Sequence, residues 1–593
     1  MNWEWIQKFN KLIELAQEKL NRKQFILFSA ILVGLSAGIA AITLKSFVHL
    51  IFTLATYKPL VSLRYLYLVL PTFGFFLTVW AVKKILKGKL EKGLPPIHYA
   101  IAKKSSIVPR EQMYAQVLTS SLTVGLGGSA GLEAPIVITG AAFGSNYAKI
   151  YKLDYKDRTL LLACGVAAGI GAAFNAPIAG VLFALEVLLL DIGISAFTPL
   201  IIAAATGALT SKIFLNEEIL FSFPQSSEFD YYNVPFYVLL GLLTGLLAVY
   251  HQRMFLRFEH KFAQLKIGAY KKVFLAGAML AILILFFPSL FGEGYKSIKV
   301  LASANSDRLF ENSILHDFMD NQWLILLLIV LTMLLKVFAT AITLGSGGNG
   351  GNFAPSLFVG AYAGFVFSRF INLTELTKLP ESNFTLVGMA GVLSGLYHAP
   401  LTALFLIAEI TGGYNLLIPL MIVSSISYAI SKHFEKFSMD AKKLASSGLM
   451  FTNDKDKNIL TTISTSRLVE TDFVKIFPTQ TLGEFVKIIS SSKRNIFPVV
   501  NEKDKLLGII ILDNVREIIF KTELYDKVLV KELMSMPTEL LAPFEPMESV
   551  MKKFDETGAW NLPVINDGVY VGFISKSSIF SNYRNKLMDY SID

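Results

Sequence analysis

The feature that most constrains this chain is a set of long apolar blocks that carry almost no charge and are cut by glycine and proline. From Thr159 to Ser211 the only acidic or basic residues are Glu186 and Asp191, and from Val337 to Ser368 there is none. About 20 apolar residues cross a bilayer core as a helix. Both blocks exceed that length, and their internal Gly and Pro divide them into short or broken helices. Only 17% of the 593 residues are charged, against roughly a quarter in a soluble domain. The expectation is an α-helical multi-pass membrane protein.

Charge and composition remove several other classes. The formal net charge is +10, but Lys and Arg sit in the N-terminal segment, the loops between apolar blocks and the C-terminal third. That is a membrane-loop distribution, not the basic, aromatic-rich face of a nucleic-acid binder. The single Cys164 permits no internal disulfide, and the seven histidines lack metal-ligand spacing. Neither a metal nor a nucleic acid is expected as a partner. No Ser/His/Asp, HExxH or phosphate-loop constellation has supporting context, so the chain reads as a non-enzyme. A divalent-cation path would line its helices with carboxylates, which the block from Val337 to Ser368 lacks. A nucleotide-sensing scaffold that transports nothing is a further alternative.

Met1–Arg22 is too charged for a cleaved signal core. Trp3, Ile6, Phe9, Ile13 and Ala16 can share one helix face, with Lys8, Lys11 and Lys19 opposite. Such a helix lies either on the cytoplasmic membrane surface or on the protein itself. The layout expected is an N-terminal helix over 1–24, a membrane domain over 25–440, a linker over 441–463, and two small repeats over 464–522 and 523–593.

The membrane part repeats itself. Gly165-Val-Ala-Ala-Gly-Ile-Gly-Ala-Ala-Phe-Asn-Ala-Pro-Ile-Ala-Gly-Val-Leu-Phe-Ala-Leu-Glu186 keeps register with Gly388-Met-Ala-Gly-Val-Leu-Ser-Gly-Leu-Tyr-His-Ala-Pro-Leu-Thr-Ala-Leu-Phe-Leu-Ile-Ala-Glu409. Upstream, Gly131-Leu-Glu-Ala-Pro135 matches Gly351-Asn-Phe-Ala-Pro355. Two halves with broken helices in matching places point to a pathway between them. Pro fits the first helical turn, and the free N–H groups there favour an anion. Close helix packing accounts for Gly165, Gly169 and Gly171, but not for a turn, a Pro and a helix recurring in register.

The C-terminal third has ordinary charge density and its own repeat. Ile496-Phe-Pro-Val-Val and Leu506-Leu-Gly-Ile-Ile510 read as strand, turn, strand, and Leu562-Pro-Val-Ile through Gly572-Phe-Ile574 is a second copy.

These motifs, in this order, resemble the CLC family. Gly128-Ser-Ala-Gly-Leu-Glu-Ala-Pro135 is similar to its GREGP motif, Gly347-Gly-Asn-Gly-Gly-Asn-Phe-Ala-Pro-Ser356 to GxFxP, and Gly93-Leu-Pro-Pro-Ile97 to the end of GSGIP. Phe174-Asn-Ala-Pro-Ile-Ala-Gly180 is also typical, and the C-terminal pair resembles tandem CBS modules. The resemblance implies a CLC-like inverted repeat plus a cytoplasmic α/β tandem-CBS domain. It further implies a homodimer in the plasma membrane, in contact with lipid, with a cytoplasmic N-terminus and one chloride pore per subunit. Anion binding is expected at Lys92, Gly93, Leu132, Ala134, Asn352 and Phe353, with Glu133 as the gating glutamate. Glu186 and Glu409 read as structural acids. CBS modules hold adenine nucleotides through an acid near the last helix. Those positions here are Asn514 and Ser578, with Ser575 nearby, so a nucleotide is a candidate ligand and no cofactor is required.

Three positions depart from the family pattern. The pore serine of GSGIP is Lys92. The pore tyrosine aligns with Asp440 in Ser438-Met-Asp440. The internal proton-accepting glutamate of the exchangers is Val187. A Lys92–Asp440 ion pair at the inner gate would be self-consistent; alternatively Lys92 lies in solvent at the pore mouth. Loss of the acceptor at Val187 leans toward a channel, with chloride/proton antiport as the alternative.

Overall fold

The computed structural model describes residues 3–55, 66–188, 196–215, 229–303, 306–310, 313–315, 321–446, 460 and 463–590. The chain divides into two units, Met1–Leu449 and Met450–Ile592. Among the described residues, eight helices are long and apolar enough to cross a membrane.

The first unit begins with α1 (Trp3–Lys19), α2 (Arg22–Ala55), α3 (Leu66–Lys84), α4 (Pro95–Lys103) and α5 (Gln112–Gly125). The first repeated set is α6 (Glu133–Ile150), α7 (Tyr155–Phe174), α8 (Pro177–Glu186) and α9 (Phe197–Leu215). After α10 (Val234–Gln264), α11 (Ala269–Phe286), α12 (Tyr295–Ala302) and α13 (Gln322–Gly345) comes the second set. It comprises α14 (Phe353–Leu373), α15 (Glu381–Tyr397), α16 (Pro400–Ile410) and α17 (Leu417–Phe434), and α18 (Met439–Ser446) closes the unit.

The repeat read from sequence is a repeat of local conformation. Helices α7 and α15 both end in a left-handed residue, Asn175 at φ 52° and His398 at φ 55°. Ala-Pro then opens α8 and α16, because Pro needs no N–H donor at the first turn. Each half crosses its two central helices at contact distance. A Cβ on Gly140 would lie 2.2 Å from the Gly165 carbonyl oxygen, and one on Gly165 would lie 2.0 Å from that of Gly140. In the second half the corresponding pair is Gly360 and Gly388, at 2.4 Å each way. Small residues let helix backbones meet where lipid supplies no hydrophobic drive between them.

The halves exchange carboxylates. Glu186, at the end of α8, accepts from the N–H groups of Leu401 (3.2 Å) and Thr402 (2.7 Å) at the start of α16. Glu409, in the last turn of α16, accepts from Ile178 (3.1 Å) and Ala179 (2.8 Å) at the start of α8. Each acid satisfies donors that the other helix cannot satisfy itself. This geometry is that of structural acids.

The N-terminal helix lies on the protein. Ile13 is buried with Phe25 and Tyr151, and Gln17 donates to the Tyr151 carbonyl at 3.1 Å. The side chains of Trp3, Ile6 and Phe9 lie outside the described residues, as does most of the stretch expected as a linker (447–459 and 461–462).

The second unit is a repeated α/β module. Its elements are α19 (Leu482–Ser491), β1 (Ile496–Val500), β2 (Leu506–Ile511), α20 (Leu512–Val515), α21 (Val530–Leu533), α22 (Met547–Thr557), β3 (Asn561–Asn566), β4 (Val569–Ser575) and α23 (Lys576–Tyr590). Strands β1–β2 and β3–β4 form two antiparallel hairpins. Each receives a parallel bridge from upstream, Ile476 on Val499 and Leu541 on Val564. The copies also exchange lead segments: Glu470 bridges Phe573 of the second copy, and Ser535 bridges Ile509 of the first. Thr481 and Glu484 close a reciprocal capping box on α19.

Replacing Gly165 or Gly388 by Val is expected to lower stability by about 1–3 kcal/mol or more, the cost of overpacking a filled contact. Gly413→Val, with open space around it, should leave the midpoint unchanged. Thermal unfolding of purified protein in detergent measures both.

Candidate functional site

The two Gly-rich turns meet at the centre of the first unit. The N–H of Gly131 donates to Gly351 O at 2.8 Å, and the N–H of Gly351 donates back to Gly131 O at 2.7 Å. Each turn is also tied to a threonine of the other half: Ser129 N–H donates to Thr343 Oγ1 (3.2 Å) and Asn349 N–H to Thr123 Oγ1 (3.0 Å). Gly127 (φ 95°) and Gly347 (φ 116°) start the turns in a backbone region that only glycine adopts without strain. The outcome is that α6 and α14 begin side by side, neither with a side-chain cap at its first residue. Their free N–H groups make this a place for negative charge.

Glu133 fills that place. Its carboxylate accepts from the Ala354 N–H of α14 at 3.3 Å and from the Tyr295 hydroxyl. A Cβ on Gly131 would come within 2.2 Å of Glu133 Oε2, so the carboxylate lies tight under the turn. An acid from the start of one half's helix therefore rests on the start of the other's.

A cavity of about 630 Å³, including its open mouth, runs from this point. Lys92, Gly93, Ala134, Asn352, Phe353 and Asp440 line it together with Glu133, so these expected site residues converge. Leu132 is buried but does not line the cavity. Val187 lies apart from it, its carbonyl accepting from His98 Nε2 at 2.8 Å.

The expected Lys92–Asp440 ion pair does not form. The Lys92 ammonium donates to the carbonyls of Gly347 and Gly348, both at 2.8 Å. Asp440 is 7% exposed, and its Oδ2 has no hydrogen-bond partner. Two backbone carbonyls on a fixed turn offer an ammonium a preformed site, and Lys92 takes it. The alternative of Lys92 free in solvent is corrected as well. At the same end of the cavity Lys443 pairs with Glu259 at 2.7 Å.

Several lining or supporting residues escaped the sequence reading. Phe353 packs between Phe174, Phe183 and Tyr397, with ring centroids 5.5–5.9 Å apart. Tyr397 is the repeat partner of Phe174, so the in-register comparison already held its signal, a hydroxyl gained in one half only. His251 Nε2 meets the Asn352 side chain, whose amide also donates to Met439 Sδ at 3.1 Å. In the second unit, Ser575 Oγ donates to Glu470 Oε1 (2.7 Å) and accepts from Ser578 N–H (3.1 Å), while Asn514 is exposed.

Repeated halves whose broken helices start at one buried point define a class of multi-pass membrane transport proteins. Residues 73–432 match the family described as voltage gated chloride channel, and residues 466–521 and 530–585 each match the CBS domain. The chain belongs to the voltage-gated chloride channel, or CLC, family. It is 29% identical over 384 residues to a putative chloride channel protein ClcB-like of Ralstonia nicotianae, covering 64% of this chain and 85% of the relative. It is 30% identical over 328 residues to the voltage-gated ClC-type chloride channel ClcB of Escherichia coli, covering 54% and 73%. Its fold matches the crystal structure of a slow cyanobacterial Cl⁻/H⁺ antiporter with a TM-score of 0.62 at 21% identity, over 72% of this chain and 99% of that one.

Because Lys92 bonds to the Gly347 and Gly348 carbonyls and not to Asp440, the stability losses of Lys92→Met and Asp440→Asn are expected to add in the double variant to within about 0.5 kcal/mol. Chemical or thermal unfolding of the three variants checks this.

Proposed function

We propose that this protein is a chloride channel in which the Glu133 carboxylate gates a pathway built from the starts of α6 and α14. The observation that carries the reading is the Glu133 carboxylate seated on the Ala354 N–H of the opposite half. An ionised carboxylate there stands where a permeating anion would be held, and the anion passes when the carboxylate leaves. Lys92 adds a fixed positive charge to the cavity wall, which favours chloride at its inner end. Val187, where an exchanger would carry an internal proton acceptor, supports passive flow.

Chloride/proton exchange is a second reading, and one observation favours it. Asp440 is a buried carboxylate with an unpartnered oxygen on the same cavity as Glu133, so it offers an alternative acceptor for a proton coming from inside.

The proposed assembly is a homodimer in the cytoplasmic membrane. Helices α8 and α16 are only 10 and 11 residues long, and their starts expose Ile178 and Leu401 beside the exchanged carboxylates. Broken backbone at membrane depth is tolerated where protein covers it, and a second copy supplies that cover. The Lys-rich ends around residues 83–104 and 432–443 support a cytoplasmic placement of the cavity mouth. The CBS pair follows on that side.

Reconstituted into liposomes, Glu133→Gln is expected to raise chloride flux by more than about tenfold, the scale of losing a charge-assisted contact, and to flatten its dependence on external pH, because a neutral amide competes poorly for an anion site. The same vesicles under a proton gradient separate the two readings. Chloride driven uphill by protons by the parent protein, and not by Glu133→Gln, establishes exchange; no uphill movement establishes the channel.

For the CBS pair we propose one adenine nucleotide per chain, held on the Asn514 side. Ser575 is committed internally to Glu470 and Ser578. Calorimetry with ATP is expected to give a single site that Asn514→Ala weakens.

A further inference from the structure

The loop Phe291–Gly294 and the first residue of α12 are fixed to the gate turn at several points. Gly292 N–H donates to Gly127 O at 3.1 Å. The Lys336 ammonium, on α13, donates to Gly292 O and to Ser129 Oγ, both at 2.9 Å, and so pins the loop to the turn. The Phe291 ring fills the space at Gly127, where a Cβ would come within 2.1 Å of it. From this anchored loop Tyr295 reaches over and donates its hydroxyl to Glu133 Oε1.

Lys336 is an expensive anchor. It is 0% exposed, and a buried ammonium costs several kcal/mol unless its donors are satisfied. Two acceptors and the Phe358 ring, 5.0 Å away, provide that compensation. The repeat shows that a cheaper anchor suffices elsewhere. In the first half the matching residue is Gln116, whose Oε1 accepts from Asn349 Nδ2 of the other turn at 2.9 Å. A neutral anchor therefore holds the turn without a gate, and a charged one holds the turn beside Glu133.

We propose that Tyr295 is a latch on the gate, a positioning residue that Lys336 holds in place and that sets how long the Glu133 carboxylate stays in the anion site. The proposal rests on the reading of Glu133 as the gate. Four groups besides the Ala354 N–H face Glu133: Tyr295 and Glu293 from this loop and helix, Lys45 from α2, and Tyr397 from α15. Lys336 in turn faces Glu293. Of these, the Tyr295 hydroxyl makes the direct hydrogen bond to the carboxylate, so removing it alters the dwell of the gate and leaves the fixed charges alone.

The test is chloride flux from liposomes across external pH for the parent protein, Tyr295→Phe, Glu133→Gln and the double variant. Tyr295→Phe keeps the ring and deletes the donor. It is expected to raise flux at neutral pH roughly tenfold, the scale of one hydrogen bond to a charged group. It should also move the rise of flux on acidification to higher pH, because fewer protons are needed to empty an unlatched site. In the Glu133→Gln background the same change is expected to do nothing. Equal factors in both backgrounds, or an unmoved pH profile in Tyr295→Phe, overturn the latch. A Glu133→Gln protein with parental flux overturns the gate reading and the latch together, which separates the two failures. Should Tyr295→Phe not assemble, Lys336→Gln, which restores the residue type of the other half, is expected to shift the pH profile in the same direction; no shift overturns the proposal.

Discussion

Two backbone hydrogen bonds between Gly131 and Gly351 set the geometry on which the rest of the membrane unit depends. They clasp the two turns, and the clasp places the starts of α6 and α14 beside each other. Helix starts are electropositive because their N–H groups have no partner within the helix. Holding two of them together in a protein interior concentrates that positive character without a dedicated charged residue. Flanking contacts serve the clasp: Thr123 and Thr343 reach across the halves, the Lys92 ammonium secures the Gly347–Gly348 carbonyls, and Lys336 secures Ser129.

The repeat is nearly symmetric in backbone and asymmetric in chemistry, and the asymmetry sits at the pathway. Where the first half has Glu133, the second has Phe353. Where the first half anchors a turn with Gln116, the second uses Lys336. Phe174 and Tyr397 differ by a hydroxyl, and both pack on Phe353. A symmetric site would hold an anion and no more. In the proposed reading, the carboxylate on one side competes for the site and the buried ammonium on the other supports the turn rigidly.

The architecture was legible in the sequence because it rests on backbone-directing residues. Gly, Pro and the order of the apolar blocks announce turns, helix starts and the repeat, and these lie where the sequence placed them. Glu133 was visible as an acid in the first turn of such a helix. Partners that are backbone atoms far along the chain were not visible. Lys92 bonds to carbonyls 255 and 256 residues away, and a carbonyl leaves no mark in the amino-acid code, so an acidic side chain was expected in its place. Lys336 was overlooked for a related reason. It directly precedes the charge-free block that begins at Val337 and reads as that block's boundary, not as part of the site. Tyr295 opens α12, outside the two repeated sets of helices, so no internal comparison pointed to it.

The carboxylates exchanged between α8 and α16 bear on how such a chain is made. The acceptor that satisfies Ile178 and Ala179 belongs to Glu409, which follows 231 and 230 residues later. At synthesis rates of roughly 5–20 residues per second, that is a wait on the order of ten to fifty seconds. During it, the start of α8 has bare donors, and lipid tails would offer them no partner. The first half therefore cannot reach its final form while it emerges. It must be sheltered by water, by headgroups or by the insertion machinery until the second half arrives, and both halves are completed in one late step.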